Sequence, residues 1–394
     1  MVRPLFIIGS ARSGTNLLAR LLDNHREIRV ALDPAMPVFR SMRDAIVAKK
    51  KDRRLSERFP AGCPFQDYYF EPLGHSLLDA VLSADAVMPL NSDEVSRLRE
   101  DCAARASLES GVMSESMAEL SGRTYTEIFQ SLFSIIADSA PDTVWAGCKE
   151  VWIEDFIPVL ARSLPECRFL CIERDPRALV ASLLAVTKHD SSQAAHTPSY
   201  MRHWRKGVAL TRRYLADPEL TSRVLLVRYE DLVVDPEHGA RKLCDFLHLE
   251  FDPEMLALAK DGWNGNSGYE HQEKNVYRGS VDQWMNSISP EMLATVDFLC
   301  GPEMNFTPYQ PVASGGTDNS VIECLLNANS EKHSWRSDSG DALSDFAWEA
   351  LRHRIIGGDQ TPSDALLRRC FLFHETFQAI RSQRKSQPEQ SKIP

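Results

Sequence analysis

Short apolar runs rich in branched residues punctuate the chain: Leu5–Ile8, Ile28–Leu32, Thr143–Ala146, Arg168–Glu173 and Val224–Arg228. A turn or a helical pattern follows each one. Runs of this kind predict strands buried on both faces, hence a parallel sheet with crossover helices and an α/β fold. The helix after the first run is marked by Leu17, Leu18, Leu21 and Leu22, a continuous apolar stripe. Another helix begins at Asp175-Pro176, with Asp as N-cap and Pro at the first helical position, and runs through Ala178–Ala185. A third follows Asp235-Pro236 and carries Leu243, Phe246 and Leu247.

Between residues 35 and 142 the periodicity is mostly helical, with a basic patch at Lys49–Arg54 and an aromatic cluster at Phe65–Phe70. An insertion of this size after the first strand–helix unit is a candidate acceptor-binding cap. From 313 to 340 the composition shifts to Gly, Ser, Asn and Asp, which predicts a linker after a main domain spanning 1–312. Helical patterning returns after 341 (Phe346, Ala347, Leu351, Ile355), and the last eleven residues of this 341–394 extension are polar and expected to be disordered. There are no internal repeats.

The 394 residues carry a net charge of −10 and an isoelectric point near 5.6, which argues against a general nucleic-acid binder. A local basic pocket remains open, because an anion site needs only a few Arg and Lys. Nine cysteines, odd in number and without a CxxC pair, predict reduced, mostly buried thiols, with Cys167 and Cys171 expected on one strand. The first apolar run ends at Gly9-Ser10, too short for a signal peptide or a membrane span, so a cytoplasmic location is expected.

The stretch Gly9-Ser10-Ala11-Arg12-Ser13-Gly14-Thr15-Asn16 has the strand–loop–helix layout of a phosphate cradle. Its glycines keep the GxxxxGK[ST] spacing, but Thr15 stands where that motif has lysine. Backbone N–H groups opening onto a helix N-terminus bind an anion whatever the side chains are. Here Arg12 is the one cation in the loop, with Ser13, Thr15 and Asn16 as neutral donors. That set suits a 5′-phosphate bearing one further anionic group better than a metal-bound triphosphate. The bland alternative is a helix-capping loop with a surface arginine. Arg174-Asp175-Pro176 and Arg228-Tyr229-Glu230-Asp231-Leu232 repeat the pattern, each leaving an apolar strand at its carboxyl end, where open α/β sheets bind ligands. Their bland alternatives are an Arg174–Asp175 pair and a tyrosine that only caps the core.

These blocks resemble, in order, those of the sulfotransferases that use 3′-phosphoadenosine 5′-phosphosulfate (PAPS), over roughly residues 4–310. Arg12-Ser13-Gly14-Thr15-Asn16 resembles the 5′-phosphosulfate loop in its arginine form, common in Golgi-type and bacterial members. Arg174 with Ser182 is similar to the pair that grips the 3′-phosphate, and Tyr229 to the tyrosine near the adenine. Tyr277-Arg278-Gly279-Ser280 followed by Trp284 resembles a reduced closing loop, in which Arg278 and Gly279 match the family pattern and Tyr277 does not. The resemblance implies a P-loop-like three-layer sandwich, PAPS as co-substrate, adenosine 3′,5′-bisphosphate as product, and no required metal.

The resemblance also implies catalytic roles. Arg12 would meet the leaving phosphate, and Lys149, in Gly147-Cys148-Lys149-Glu150 at a strand end, would supply a second cation at the bridging oxygen. The histidine that phenol and steroid sulfotransferases place two residues after that lysine is Val151 here. The protein-tyrosine type instead uses an acid twenty-one positions after the loop arginine, and Asp33 stands there, shorter than that type's glutamate. Glu150, His189 and His196 are reserve bases. The implied reaction is in-line transfer of a sulfuryl group to a hydroxyl, less readily an amine, of a small-molecule or carbohydrate acceptor, with a protein tyrosine also open. A homodimer is open as well. A P-loop small-molecule kinase and a non-catalytic nucleotide-binding scaffold are the competing readings.

Overall fold

The branched runs become five strands in a computed structural model, which describes residues 2–65, 70–106, 111–186, 197–258, 278–312, 321, 342–358 and 362–386. The strands are β1 (Arg3–Gly9), β2 (Ile28–Leu32), β3 (Trp145–Val151), β4 (Arg168–Glu173) and β5 (Val224–Arg228). All pair in parallel, in the order β2-β3-β1-β4-β5. β1 is therefore central, and the loop after it opens at the middle of the sheet's carboxyl edge.

The chain divides into two compact units. The first, Met1–Phe65 with Ser76–Arg174 and Tyr214–Val281, contains the sheet. Successive side chains of a strand point to opposite faces, and β1 uses both. Leu5 and Ile7 pack with Leu17, Leu18 and Leu21 of the helix Thr15–Asp23 and with Leu243 and Leu247 of the helix Pro236–Leu247. Phe6 points the other way, meeting Phe39, Phe129 and Phe133 edge-on at 6.4, 6.0 and 5.1 Å and stacking on Phe169 at 5.5 Å. Phe39 and Phe129 belong to the helices Met36–Lys50 and Tyr125–Ala137. Helices thus cover both faces, the three-layer arrangement that the resemblance implies.

The second unit is Gln66–His75 with Asp175–Arg213 and Asp282–Pro394. Its helix Pro176–Val186 starts as expected, with Asp175 Oδ1 accepting from Arg177 N at 2.8 Å. The C-terminal helices Ala342–Gly357, Asp364–Phe371 and His374–Ser386 belong to this unit, and Phe306 packs into their cluster of Ile355, Leu367, Phe371 and Phe377. Four buried charges connect them to earlier helices. Arg205 Nη1 pairs with Glu349 Oε1 at 2.7 Å and Arg205 Nε with Glu303 Oε1 at 3.4 Å, while Arg352 pairs with Glu303 and, at 3.5 Å, with Glu349.

Three expectations are corrected. The third strand is Trp145–Val151 rather than Thr143–Ala146, because Gly147, Lys149 and Glu150 are strand residues with buried positions despite their polar reading. Cys167 precedes β4 instead of sharing it with Cys171. The final helix runs to Ser386, past the predicted start of the polar tail. Apart from Val321, the predicted linker 313–340 lies outside the described residues, as do His189, His196, Tyr277 and 387–394. The eight described cysteines are thiols outside any disulfide. No described helix is long and apolar enough to cross a membrane.

Candidate active site

Strand register decides which side chains meet. Ile7 of β1 and Leu32 of β2 both pair with Lys149 of β3, so Asp33, one residue beyond β2, emerges beside it. Asp33 N donates to the Lys149 carbonyl at 2.8 Å, and the Lys149 ammonium forms an ion pair with Asp33 Oδ2. Lys149 is only 4% exposed. Arg105, in the last turn of the helix Ser92–Ala106, approaches the same Oδ2 with Nη2 at 3.6 Å. Asp33 Oδ1 is buried without a hydrogen-bond partner.

Glu150 completes this cluster. It is fully buried, and its Oε1 accepts from Ala35 N at 2.5 Å, which ties β3 to the turn that contains Asp33. Oε2 has no partner. Burial pushes the Glu150 carboxyl well above its ordinary range, and the nearby Asp33 charge adds to the shift, while the Ala35 N–H, Lys149 and Arg105 oppose it.

On the other side of β1 the same logic operates. Glu173 of β4 pairs with Arg228 of β5, so Arg174 and Tyr229 leave the sheet next to each other. The Arg174 guanidinium lies 3.9 Å from the centre of the Tyr229 ring. Its Nη1 donates to the Arg12 carbonyl and its Nη2 to the Ser280 carbonyl, both at 3.0 Å, and the Tyr229 hydroxyl and Ser280 Oγ are hydrogen-bonded at 2.7 Å. One face of the tyrosine is thereby covered by Arg174.

The glycine-bounded loop sits between the two clusters. Gly14 is left-handed (φ 97°), and a Cβ there would overlap the Tyr229 ring. At Gly9 a Cβ would come within 2.7 Å of Ser13 Oγ and of an Ile172 methyl. Both glycines are therefore required by close approach. Arg12 itself is left-handed (φ 74°), as are Asp33 (φ 52°) and Trp152 (φ 62°), an unusual conformation for residues with side chains. The helix Thr15–Asp23 opens on Gly14 with no capping side chain, and Ser13 Oγ is buried without a hydrogen-bond partner. Uncapped first-turn amides and an orphaned hydroxyl are the donor set that an oxyanion satisfies.

A sulfotransferase family model matches residues 4–253, nearly two-thirds of the chain. The chain belongs to the sulfotransferase family. No curated protein matches it. Among solved structures, this sulfotransferase is similar to the sulfotransferase domain of the curacin biosynthetic pathway, at 16% identity and TM-score 0.41, covering 74% of this chain and 93% of that one. A sulfotransferase from Mycobacterium avium aligns at 16% identity and TM-score 0.40 over 78% of each chain. Retinol dehydratase in a complex with retinol and PAP aligns at 12% identity and TM-score 0.34, covering 75% of this chain and 79% of that one.

The sequence-predicted residues are therefore distributed as follows. Lys149 and Asp33 meet directly, and Arg174 meets Tyr229 and the Arg12 backbone. Thr15 and Ser13 are buried, Asn16 is half-buried, and Arg278 and Gly279 are exposed in the short turn Arg278–Ser280. Ser182 is buried in the helix Pro176–Val186 of the second unit. Phe65, the first residue of the aromatic cluster, is packed beneath Arg43 at 5.1 Å and against Phe156 at 5.9 Å. The sequence reading missed Arg105 altogether. Its only local signal is a basic residue in a helix's last turn, a feature shared with several other helices.

Proposed function

We propose that this sulfotransferase moves a sulfuryl group from PAPS to an acceptor hydroxyl by in-line displacement. The orphaned Ser13 hydroxyl beside an uncapped helix N-terminus is the observation that supports this reading most directly. The donor set accepts phosphate and sulfate oxygens, and the absence of the motif lysine at Thr15 disfavours a triphosphate. When bound, the donor supplies the sulfuryl group and a bisphosphate leaving group.

In this reading the chain's own residues divide the work. Ser13, Gly14, Thr15 and Asn16 hold the 5′-phosphosulfate through amides and hydroxyls, and Arg12 neutralises charge on the departing oxygen. Lys149 acts beside it from the end of β3. Preorganised donors of this kind are the main lever available to a group transfer with little covalent chemistry. Asp33 is the base. Its Oδ2 is engaged by Lys149 and Arg105, which leaves the unpartnered Oδ1 to receive the acceptor proton. Arg174 takes the 3′-phosphate, Tyr229 borders the adenine, and Arg278 with Gly279 closes over the nucleotide. The kinase and scaffold alternatives lose their footing once the chain belongs to this family.

Calorimetry with adenosine 3′,5′-bisphosphate and adenosine 5′-phosphate tests the donor. The doubly phosphorylated nucleotide should bind at least ~10-fold more tightly, the effect of about one charge-assisted hydrogen bond. Equal affinities would sink the proposal. Incubation with PAPS and a metabolite extract, followed by a mass-spectrometric search for compounds that gain SO3, then identifies the acceptor.

A further inference from the structure

Next to Asp33 stands Arg105, and Arg40 in turn neighbours Arg105. Arg40 lies on the helix Met36–Lys50 and Arg105 on the helix Ser92–Ala106, which pack against each other. Among the described residues Arg40 makes no hydrogen bond, ion pair or ring contact, and its Nε is buried. Among the described residues Arg105 has one ionic partner, Asp33 at 3.6 Å, and its Nε is likewise buried and unpaired. Burial presses the Arg40 guanidinium down from its ordinary value, and the neighbouring Arg43 and Arg105 charges press it further, against a smaller opposing effect of Cys63 and Asp44. Like charges brought together in a partly dry site repel unless an anion lies between or beside them.

The neighbouring acids are already committed. Asp44 Oδ1 accepts from Arg43 Nε at 3.0 Å and Nη2 at 2.7 Å, and its Oδ2 accepts from Gly62 N at 2.7 Å. Arg43 is thus fully engaged, with the Phe65 ring against it as well. Glu150 sits beside Asp33, but burial favours its neutral form. The Asp33 carboxylate therefore faces Lys149 and Arg105 through Oδ2, with Arg40 neighbouring Arg105, so cations outnumber the ionised acid at this point. Paired guanidinium groups with unused N–H donors are the usual recognition element for carboxylate and sulfate oxygens.

We propose that Arg40 and Arg105 form an anion subsite next to Asp33 that takes a carboxylate or sulfate already carried by the hydroxylated acceptor. This rests on the assignment of Asp33 as the base, and it narrows the acceptor class from any alcohol to an acidic one, such as a hydroxy acid or a partly sulfated sugar. It also gives the insertion 35–142 a specific role, since both arginines belong to it.

The test uses the full chain saturated with adenosine 3′,5′-bisphosphate, so that the glycine loop is filled, and titrates it with sodium acetate and with sodium sulfate. The readout is the Nε–H resonances of Arg40 and Arg105, assigned by their loss in Arg40→Gln and Arg105→Gln. Both should move to saturation with a common millimolar midpoint, while the Arg43 resonance stays still and reports an intact fold. Arg105→Gln should weaken the midpoint read at Arg40 at least tenfold. A linear, unsaturable drift, or an unchanged Arg40 midpoint in Arg105→Gln, overturns the subsite. Acetate and sulfate midpoints compared with each other decide which anion is preferred. If the bisphosphate fails to bind at the loading step, the donor assignment fails, and the Arg40 titration still decides the subsite. A sulfated product lacking any other anionic group overturns the acceptor class.

Discussion

Arg174 lies face-on over Tyr229, with its guanidinium carbon 3.9 Å from the ring centre, because the two residues follow the paired ends of adjacent strands. The same guanidinium reaches the Arg12 carbonyl and the Ser280 carbonyl. One side chain thus connects the glycine loop, the tyrosine and the turn Arg278–Ser280. A planar donor is needed for that geometry. Lysine has the charge but neither the fork nor the flat face.

Arg174→Lys should therefore behave more like a deletion than a conservative change. We expect the affinity for adenosine 3′,5′-bisphosphate to fall about 10- to 100-fold, as when a charged hydrogen bond is lost, with the affinity for adenosine 5′-phosphate nearly unchanged. Calorimetry with the two nucleotides reads the difference directly. A parallel loss for both would assign Arg174 to holding the loop rather than the 3′-phosphate.

Gly14 has a second, independent reason to be glycine. Its left-handed φ costs an L-residue about 1–2 kcal/mol, and its missing Cβ leaves room for the Tyr229 ring. Gly14→Ala should lower the melting temperature and push Tyr229 away, so that bisphosphate binding weakens as well. Tyr229→Ala in the Gly14→Ala background should recover part of the stability, since it removes the clash but not the backbone strain. A double variant less stable than the sum of the singles would contradict the close-approach argument.

The Lys149–Asp33 ion pair makes a kinetic prediction. With an acceptor found from extract, Asp33→Asn should lose about 10²- to 10⁴-fold in turnover, the range for a positioned base, and leave bisphosphate binding intact. Lys149→Met should also lower turnover. The double variant should fall no further than roughly the worse single, because the two side chains act as one unit. Multiplicative losses would mean that they act separately.

Much of this arrangement was legible beforehand, for a physical reason. Leu5–Ile8 is branched and apolar because a central parallel strand is buried on both faces, and Gly9, Arg12 and Gly14 follow it at the spacing of a phosphate-cradle loop. Arg174 and Tyr229 sit at strand ends, so their placement followed from the strands. The apolar run alone ended β3 too early because Lys149 and Glu150 break the pattern, although Lys149 does lie near the strand end where it was expected. Arg40 and Arg105 belong to helices whose packing brings them together, and no local periodicity encodes that. The contact of Arg205 with Glu349 spans 144 residues and is invisible for the same reason.

The Arg205–Glu349–Arg352–Glu303 network should be structural. All four side chains are nearly inaccessible, so removing one leaves an uncompensated buried charge. Glu349→Ala should destabilise the protein by about 3–5 kcal/mol, with bisphosphate affinity unchanged at a temperature where the variant is folded. Chemical denaturation of the parent and variant gives the number. A cost below about 1 kcal/mol would mean that water or rearranged partners satisfy Arg205.

Glu150 supplies a pH dependence whose sign can be worked out. Its carboxyl is raised in the folded chain, burial being the main cause and Asp33 the next, against an ordinary value of 4.5. Above that ordinary value the unfolded chain releases the Glu150 proton while the folded chain retains it. Folding then becomes less favourable as pH rises, by up to about 1.4 kcal/mol per pH unit, until the folded carboxyl itself ionises. Glu150→Gln keeps the shape and can still accept from Ala35 N–H, but it has no proton to lose. Its stability relative to the parent should therefore improve steadily from pH 5 to pH 8. Glu150→Ala should be less stable than Glu150→Gln throughout, because the Ala35 amide and the turn bearing Asp33 lose their tie to β3. Denaturant titrations of the three proteins at pH 5, 6.5 and 8 provide the comparison. A Gln variant whose stability runs parallel to that of the parent would show that Glu150 is ionised in the folded chain, and the charge count around Asp33 would have to include it.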